Sequence, residues 1–128
     1  MAGPARAGAL IYAHRLDKLS AFYQQVLGMS LLHANAELHV IASADFQLLI
    51  HALPAHIAAS LRIAVPPEQR EDQAIKLFFS VANLEAAALT ARTLGGDLFG
   101  PEYAGPGFKM RNAYDLEGNV FQLREGLD

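Results

Sequence analysis

Hydrophobic positions along the chain change period twice, in the same order each time. Residues 8–14, GALIYAH, form a short run containing Ile and Tyr, which predicts a β-strand. Over LDKLSAFYQQVLGM the period becomes helical, with Leu16, Leu19, Phe22, Tyr23, Val26 and Leu27 on one stripe. Asp17 lies where a carboxylate favours the helix dipole, and Gly28 is placed as the helix stop. Three strands are predicted next, over 30–33, 38–43 and 46–52, with ANAE and SAD as the turns between them. The first part is therefore β-α-β-β-β.

Residues 53–74 interrupt the pattern. Pro54 opens the segment, HIAASLRIAV fits helix or strand, and PPEQRED is a polar, proline-led linker. A strand pattern returns over 75–81, IKLFFSV. NLEAAALTARTLGG predicts a second helix: Asn83 caps it, Glu85 sits in its first turn, and Leu84, Ala87, Ala88, Ala91 and Leu94 form the apolar face. Strands follow over 97–99, 108–114 and 119–124. The second part repeats β-α-β-β-β. VLGM and TLGG close the two helices, and FQLL and FQLR sit in the two final strands. That shared order points to two like units around one core, not to a solenoid, which needs more copies. The expectation is one α+β domain over 1–128, with module one at 8–52, the linker at 53–74 and module two at 75–125.

Composition narrows the chemistry. The formal net charge is −3 and no Lys/Arg cluster occurs, which argues against nucleic acid as a partner. With no cysteine, disulfides, thiolate metal sites and cysteine nucleophiles are excluded. No run approaches the roughly 18 apolar residues a membrane helix needs. The opening MAGPARAGALIYAHRLD is read as leading into a first strand, not as a signal peptide, so the expected setting is cytoplasmic without membrane contact. The serines lack a G-x-S-x-G context, and LGGDLFG lacks the pattern and lysine of a phosphate loop.

Two such modules, with FYQQVLGM early and DLEGNVFQL late, resemble the vicinal oxygen chelate superfamily. This group contains glyoxalase I, extradiol dioxygenases, fosfomycin-resistance proteins and bleomycin-binding proteins. The resemblance spans residues 9–125. It implies two half-barrels enclosing a shared cleft. In the metal-dependent members, side chains from the first and last strands of each module hold a divalent metal there. Carried over residue by residue, those positions fall at Gly8, at Gln47 (or Leu49 after a slip of two), at Lys76 and at Gln122. That set is poor for a cation. Gly8 has no side chain, two neutral amides supply little charge, and a protonated lysine repels the metal.

The resemblance, with that donor set, implies a metal-free binder of a small, anionic organic molecule, expected as a homodimer and with no cofactor. The alternative is a divalent-metal-dependent lyase, isomerase or dioxygenase with off-pattern ligands drawn from His51, Gln47 and Gln122; whether the chain is an enzyme stays open, with the balance toward a binder. Strand parity puts Lys76, Phe78 and Ser80 on one face, where Lys76 either attracts an anion or is a solvated surface residue. Tyr12, Phe78 and Tyr114 wall an aromatic pocket or simply pack a core. YAGPGFKMRN, 103–112, is a candidate loop over the cleft mouth, with Lys109 and Arg111 charging its rim. His33 and His39 flank one hairpin, and histidines so placed are more often structural. The ligand-contacting set is thus Gly8, Tyr12, Gln47, His51, Lys76, Phe78, Arg111 and Gln122, with no catalytic residue assigned.

Overall fold

Helix α1 (Leu16–Leu27) buries Leu19 and Phe22 completely against one side of a four-stranded sheet. The computed structural model describes residues 5–127. The chain divides into two compact units, Met1–Arg62 and Ile63–Asp128, and the division falls inside the linker segment. The reading of the N-terminus as free of a signal peptide rests partly on residues 1–4, which lie outside the described residues.

In the first unit the strands are β1 (Gly8–Ala13), β2 (Ser30–Ala34), β3 (Leu38–Ala42) and β4 (Gln47–Ala52). Their order is β1-β4-β3-β2, with β1 parallel to β4 and the remaining pairs antiparallel. Burial alternates as a half-covered sheet demands. Leu48 and Ile50 are buried on the helix side, while Gln47, Leu49 and His51 are half-buried on the other, hereafter the open face. Gly28 ends α1 in the left-handed region at φ 68°. The ambiguous stretch after Pro54 becomes a short helix, α2 (Ala55–Ser60).

The second unit repeats the plan. Its elements are β5 (Phe78–Val81), α3 (Leu84–Thr93), β6 (Asp97–Gly105), β7 (Phe108–Tyr114) and β8 (Val120–Gly126), with sheet order β5-β8-β7-β6. The Asn83 side chain accepts from the Ala86 N–H at 2.8 Å, capping α3 as predicted. Leu123 and Ala113 are fully buried on the helix side. Both sheets are open, with two edges each, and neither closes into a barrel.

Two elements differ from the sequence reading. Strand β5 begins at Phe78, not at Ile75; before it the Leu77 carbonyl accepts from Gln122 N at 2.9 Å and the Gln73 side chain from Val120 N at 3.3 Å. The stretch 103–112 is not a mouth loop. Strand β6 runs to Gly105, and Pro106-Gly107 turn directly into β7, with Gly105 opposite Phe108. Proline fixes its own φ near −65° and Gly107 takes φ 81°, the residue pattern of a type II turn.

Candidate functional site

Parallel register identifies which side chains share the open faces. In the first unit Gly8 pairs with Gln47, Leu10 with Leu49 and Tyr12 with His51. In the second, Phe78 pairs with Gln122 and Ser80 with Arg124. Each glutamine therefore faces the first residue of its parallel partner strand. The equivalents of Gly8 and Gln47 are Phe78 and Gln122. Lys76 is displaced by two residues from the position assigned to it. It is exposed ahead of β5, and its Nζ donates to Asn112 Oδ1 at 3.3 Å.

Taken unit by unit, the register-equivalent pairs are Gly8 with Gln47 and Phe78 with Gln122, and each offers one neutral amide without carboxylate or imidazole, a poor fit to a divalent metal. Gly8 is also sterically closed, because an added Cβ would stand 2.6 Å from the Gln47 carbonyl oxygen. That space belongs to the backbone, not to a ligand group. Gly8→Ala is accordingly expected to cost about 1–2 kcal/mol in urea denaturation, as strand β1 is pushed from β4.

His51 does not rescue a metal site. Its Nδ1 lies 2.7 Å from the Ala52 carbonyl, which can only accept, so Nδ1 carries the proton and Nε2 is left as the acceptor. Its ring meets the Tyr12 ring edge-on, with centroids 5.8 Å apart. Gln47 lies four residues away on the same strand, about 13 Å at ~3.3 Å per residue. The two cannot share one ion. Among the described residues no group of three His, Asp or Glu side chains converges to hold a metal.

His33 and His39 sit on opposite faces of their hairpin, paired with Val40 and Ala34 respectively. His39 lies on the helix side, 2.7 Å from Ser20 Oγ and 3.4 Å from an Asp17 carboxylate oxygen. The residue types match a nucleophilic triad, but Ser20 is fully buried and also accepts from Gln24, so it reaches no substrate.

Arg111 was expected at the open face and instead points to the helix side. It pairs with the buried Leu123, its Nε donates to the Phe99 carbonyl at 2.8 Å, and its Nη1 lies 3.9 Å from Glu85 of α3. Lys109 shares that side and pairs with Glu125 at 3.6 Å.

The open face carries a second cation beside Lys76: Arg124, which the motif did not mark. It lies one strand repeat beyond Gln122, and its Nε donates to Gln122 Oε1 at 2.9 Å. Its guanidinium carbon stands 3.8 Å from the Phe78 ring centroid and 4.4 Å from that of Phe108. These rings come from β5 and β7, the strands on either side of β8. Gly105 makes room for one of them, since a Cβ there would collide with the Phe108 ring. The sequence held a parity signal, because Gln122 and Arg124 alternate onto one face.

Across the same face Gln122 pairs with Asn112 of β7. Asn112 also lines a depression of about 330 Å³, together with Gln69, Glu71, Phe99, Pro101 and Tyr103. That volume lies at the lower end of the range for small-molecule sites. Phe99 and Tyr103 give the depression its aromatic lining, and Phe99 packs on Tyr114 with centroids 5.6 Å apart. The face thus combines aromatic rings, neutral amides, the Lys76 ammonium on Asn112 and an arginine held between two rings.

Two βαβββ modules, each with one open sheet face, match the architecture that the resemblance to vicinal oxygen chelate proteins implies. A family model for the glyoxalase-like domain matches residues 9–124, and the chain belongs to that family. Solved structures agree on the fold. A glyoxalase/bleomycin resistance protein/dioxygenase family enzyme from Burkholderia phytofirmans superposes with a TM-score of 0.70 at 19% identity, covering 97% of this chain and 100% of that one. A bleomycin resistance determinant encoded on the transposon Tn5 gives 0.61 at 18% identity, covering 96% and 98%. A glyoxalase-related enzyme from Fulvimarina pelagi gives 0.63 at 16%, covering 94% and 86%. No curated protein sequence matches the chain.

Proposed function

We propose that this chain binds a small, anionic organic molecule on the open face of its second sheet, without the divalent metal of the metal-dependent family members. One observation carries the reading: the register-equivalent pairs, Gly8 with Gln47 and Phe78 with Gln122, hold no anionic or imidazole donor. A neutral amide keeps hydrogen-bonding capacity and gives up the charge that would compensate a cation. Gln122 instead orients an arginine, which favours an anion. The depression beside Asn112 accommodates the uncharged part of such a molecule.

The reading carries with it a cytoplasmic setting and a homodimer. Leu10 and Tyr12 are 46% and 59% exposed on the open face of the first sheet, apolar surface that a second copy would cover. Among the described residues no helix is long and apolar enough to cross a membrane. The net charge of −3 favours no nucleic-acid partner.

Elemental analysis tests the proposal, on untagged protein purified without chelator, exposed to a panel of divalent ions and then dialysed. The expected content is below about a tenth of an equivalent for every ion, since neutral amides alone hold hard and borderline divalent ions weakly. Near one equivalent of a single metal would overturn the metal-free reading and support a metal-dependent lyase, isomerase or dioxygenase built on off-pattern ligands.

A further inference from the structure

The geometry points to a carboxylate as the group this face reads, with Arg124 as its receptor, supplying the fixed positive charge that other members take from a metal. The inference rests on the small-molecule reading above and deepens it. Arginine has five N–H donors in one plane. Nε is committed to Gln122, and Phe78 and Phe108 lie against the guanidinium. Among the described residues the other four N–H groups meet no protein acceptor, and no carboxylate pairs with this arginine. Among the described residues of this unit Lys76 likewise meets no carboxylate and donates to the Asn112 amide, whereas three other cations are paired. Arg92 pairs with Asp97 at 2.9 Å, Arg111 lies near Glu85, and Lys109 engages Glu125. The adjacent Glu125 is turned away from Arg124 and accepts from the Leu84 N–H at 2.7 Å, at the start of α3.

An unpaired cation held by three side chains is pre-organised, so little side-chain entropy remains to be lost on binding. The bond from Nε leaves the terminal Nη pair as a planar fork, which matches the two oxygens of a carboxylate. The flanking rings favour a flat group over a bulky one and leave aromatic surface for the rest of the ligand. Glu71, on the wall of the nearby depression, disfavours a second negative charge there. The ligand class is therefore a monocarboxylate with an aromatic or apolar body, its acid at Arg124 and its uncharged end toward Phe99 and Tyr103.

The test compares 2-naphthoate with its uncharged isostere 2-naphthamide by isothermal titration calorimetry, while the Arg124 Nε–H resonance is followed by ¹⁵N NMR. The expected result is at least about tenfold tighter binding of the acid, the gain of one charge-assisted contact. The Arg124 resonance should move with the acid alone. Arg124→Gln should abolish the preference, and Arg124→Lys should restore only part of it, because a point charge replaces the fork. Gly105→Ala, which displaces the Phe108 ring without touching Arg124, should weaken acid binding by about threefold, the scale of one cation–π contact. Circular dichroism establishes that each variant is folded. Equal affinity for acid and amide overturns the carboxylate assignment and leaves the binder reading standing. A preference that survives Arg124→Gln overturns the role of Arg124. Binding of neither probe overturns the inference, and the metal content then decides the broader reading separately.

Discussion

Asp115→Ala is expected to lower the free energy of unfolding by about 3 kcal/mol, because it strands several donors at once. The side chain is fully buried. One oxygen accepts from the backbone N–H groups of Glu117 at 2.9 Å and Asn119 at 3.1 Å; the other accepts from Asn119 Nδ2 at 2.9 Å. Removing the carboxylate leaves the buried Glu117 N–H and the half-buried Asn119 donors without this acceptor. Gly118 completes the turn at φ 86°, where a Cβ would also collide with the Glu68 carbonyl oxygen, so the loop cannot relax toward that side. Urea denaturation followed by circular dichroism checks the figure. Asp115→Asn keeps one carbonyl acceptor and should lose about half as much. Equal losses for both would assign the stability to charge and not to the acceptor geometry.

That turn also sets the phase of β8. The Asp115 N–H donates to the Asn119 carbonyl, and Val120 then opens the strand opposite Tyr114. A one-residue slip would carry Gln122 and Arg124 to the helix side and Leu123 to the open face. The motif D-L-E-G-N is therefore a register device, and this explains why it was the most informative stretch of the sequence. It puts Gln122 in the last strand, where the ladder sets it opposite Phe78 and Asn112.

The modules were legible because their apolar periods differ, helical over α1 and α3 and alternating over most strands. What stayed hidden depended on pairing. Lys76 and Phe78 share parity, so no periodicity separates them; only the ladder opposite Gln122 does. Gly105, Pro106 and Gly107 read as a loop by composition, yet the same residue types also make a two-residue hairpin, and the cross-strand partners decide. Arg111 is a charge beside glycines in the sequence and an inward-turned partner of Glu85 in the fold. Arg124 stood two residues from the motif. Its significance comes from Phe78 and Phe108, which are distant in sequence and adjacent only through the sheet order β5-β8-β7.

Leu123→Ala is expected to cost about 3 kcal/mol, within the usual range for a leucine-sized cavity in a core. Leu123 is fully exposed to the interior and not to solvent, standing on β8 between the two open-face residues. On the same side Phe79 and Phe121 pack edge-on with centroids 6.2 Å apart, rigid rings that cannot easily collapse into the vacated volume. The loss should appear as a lower urea midpoint with an unchanged slope, since the surface exposed on unfolding is nearly the same. Because the side chain points away from Arg124, the folded variant should keep its preference for 2-naphthoate. If instead the preference fell by about tenfold, equivalent to ~1.4 kcal/mol, helix-side packing would be setting the position of Arg124 through the strand. The aromatic clamp would then be insufficient to hold the guanidinium by itself.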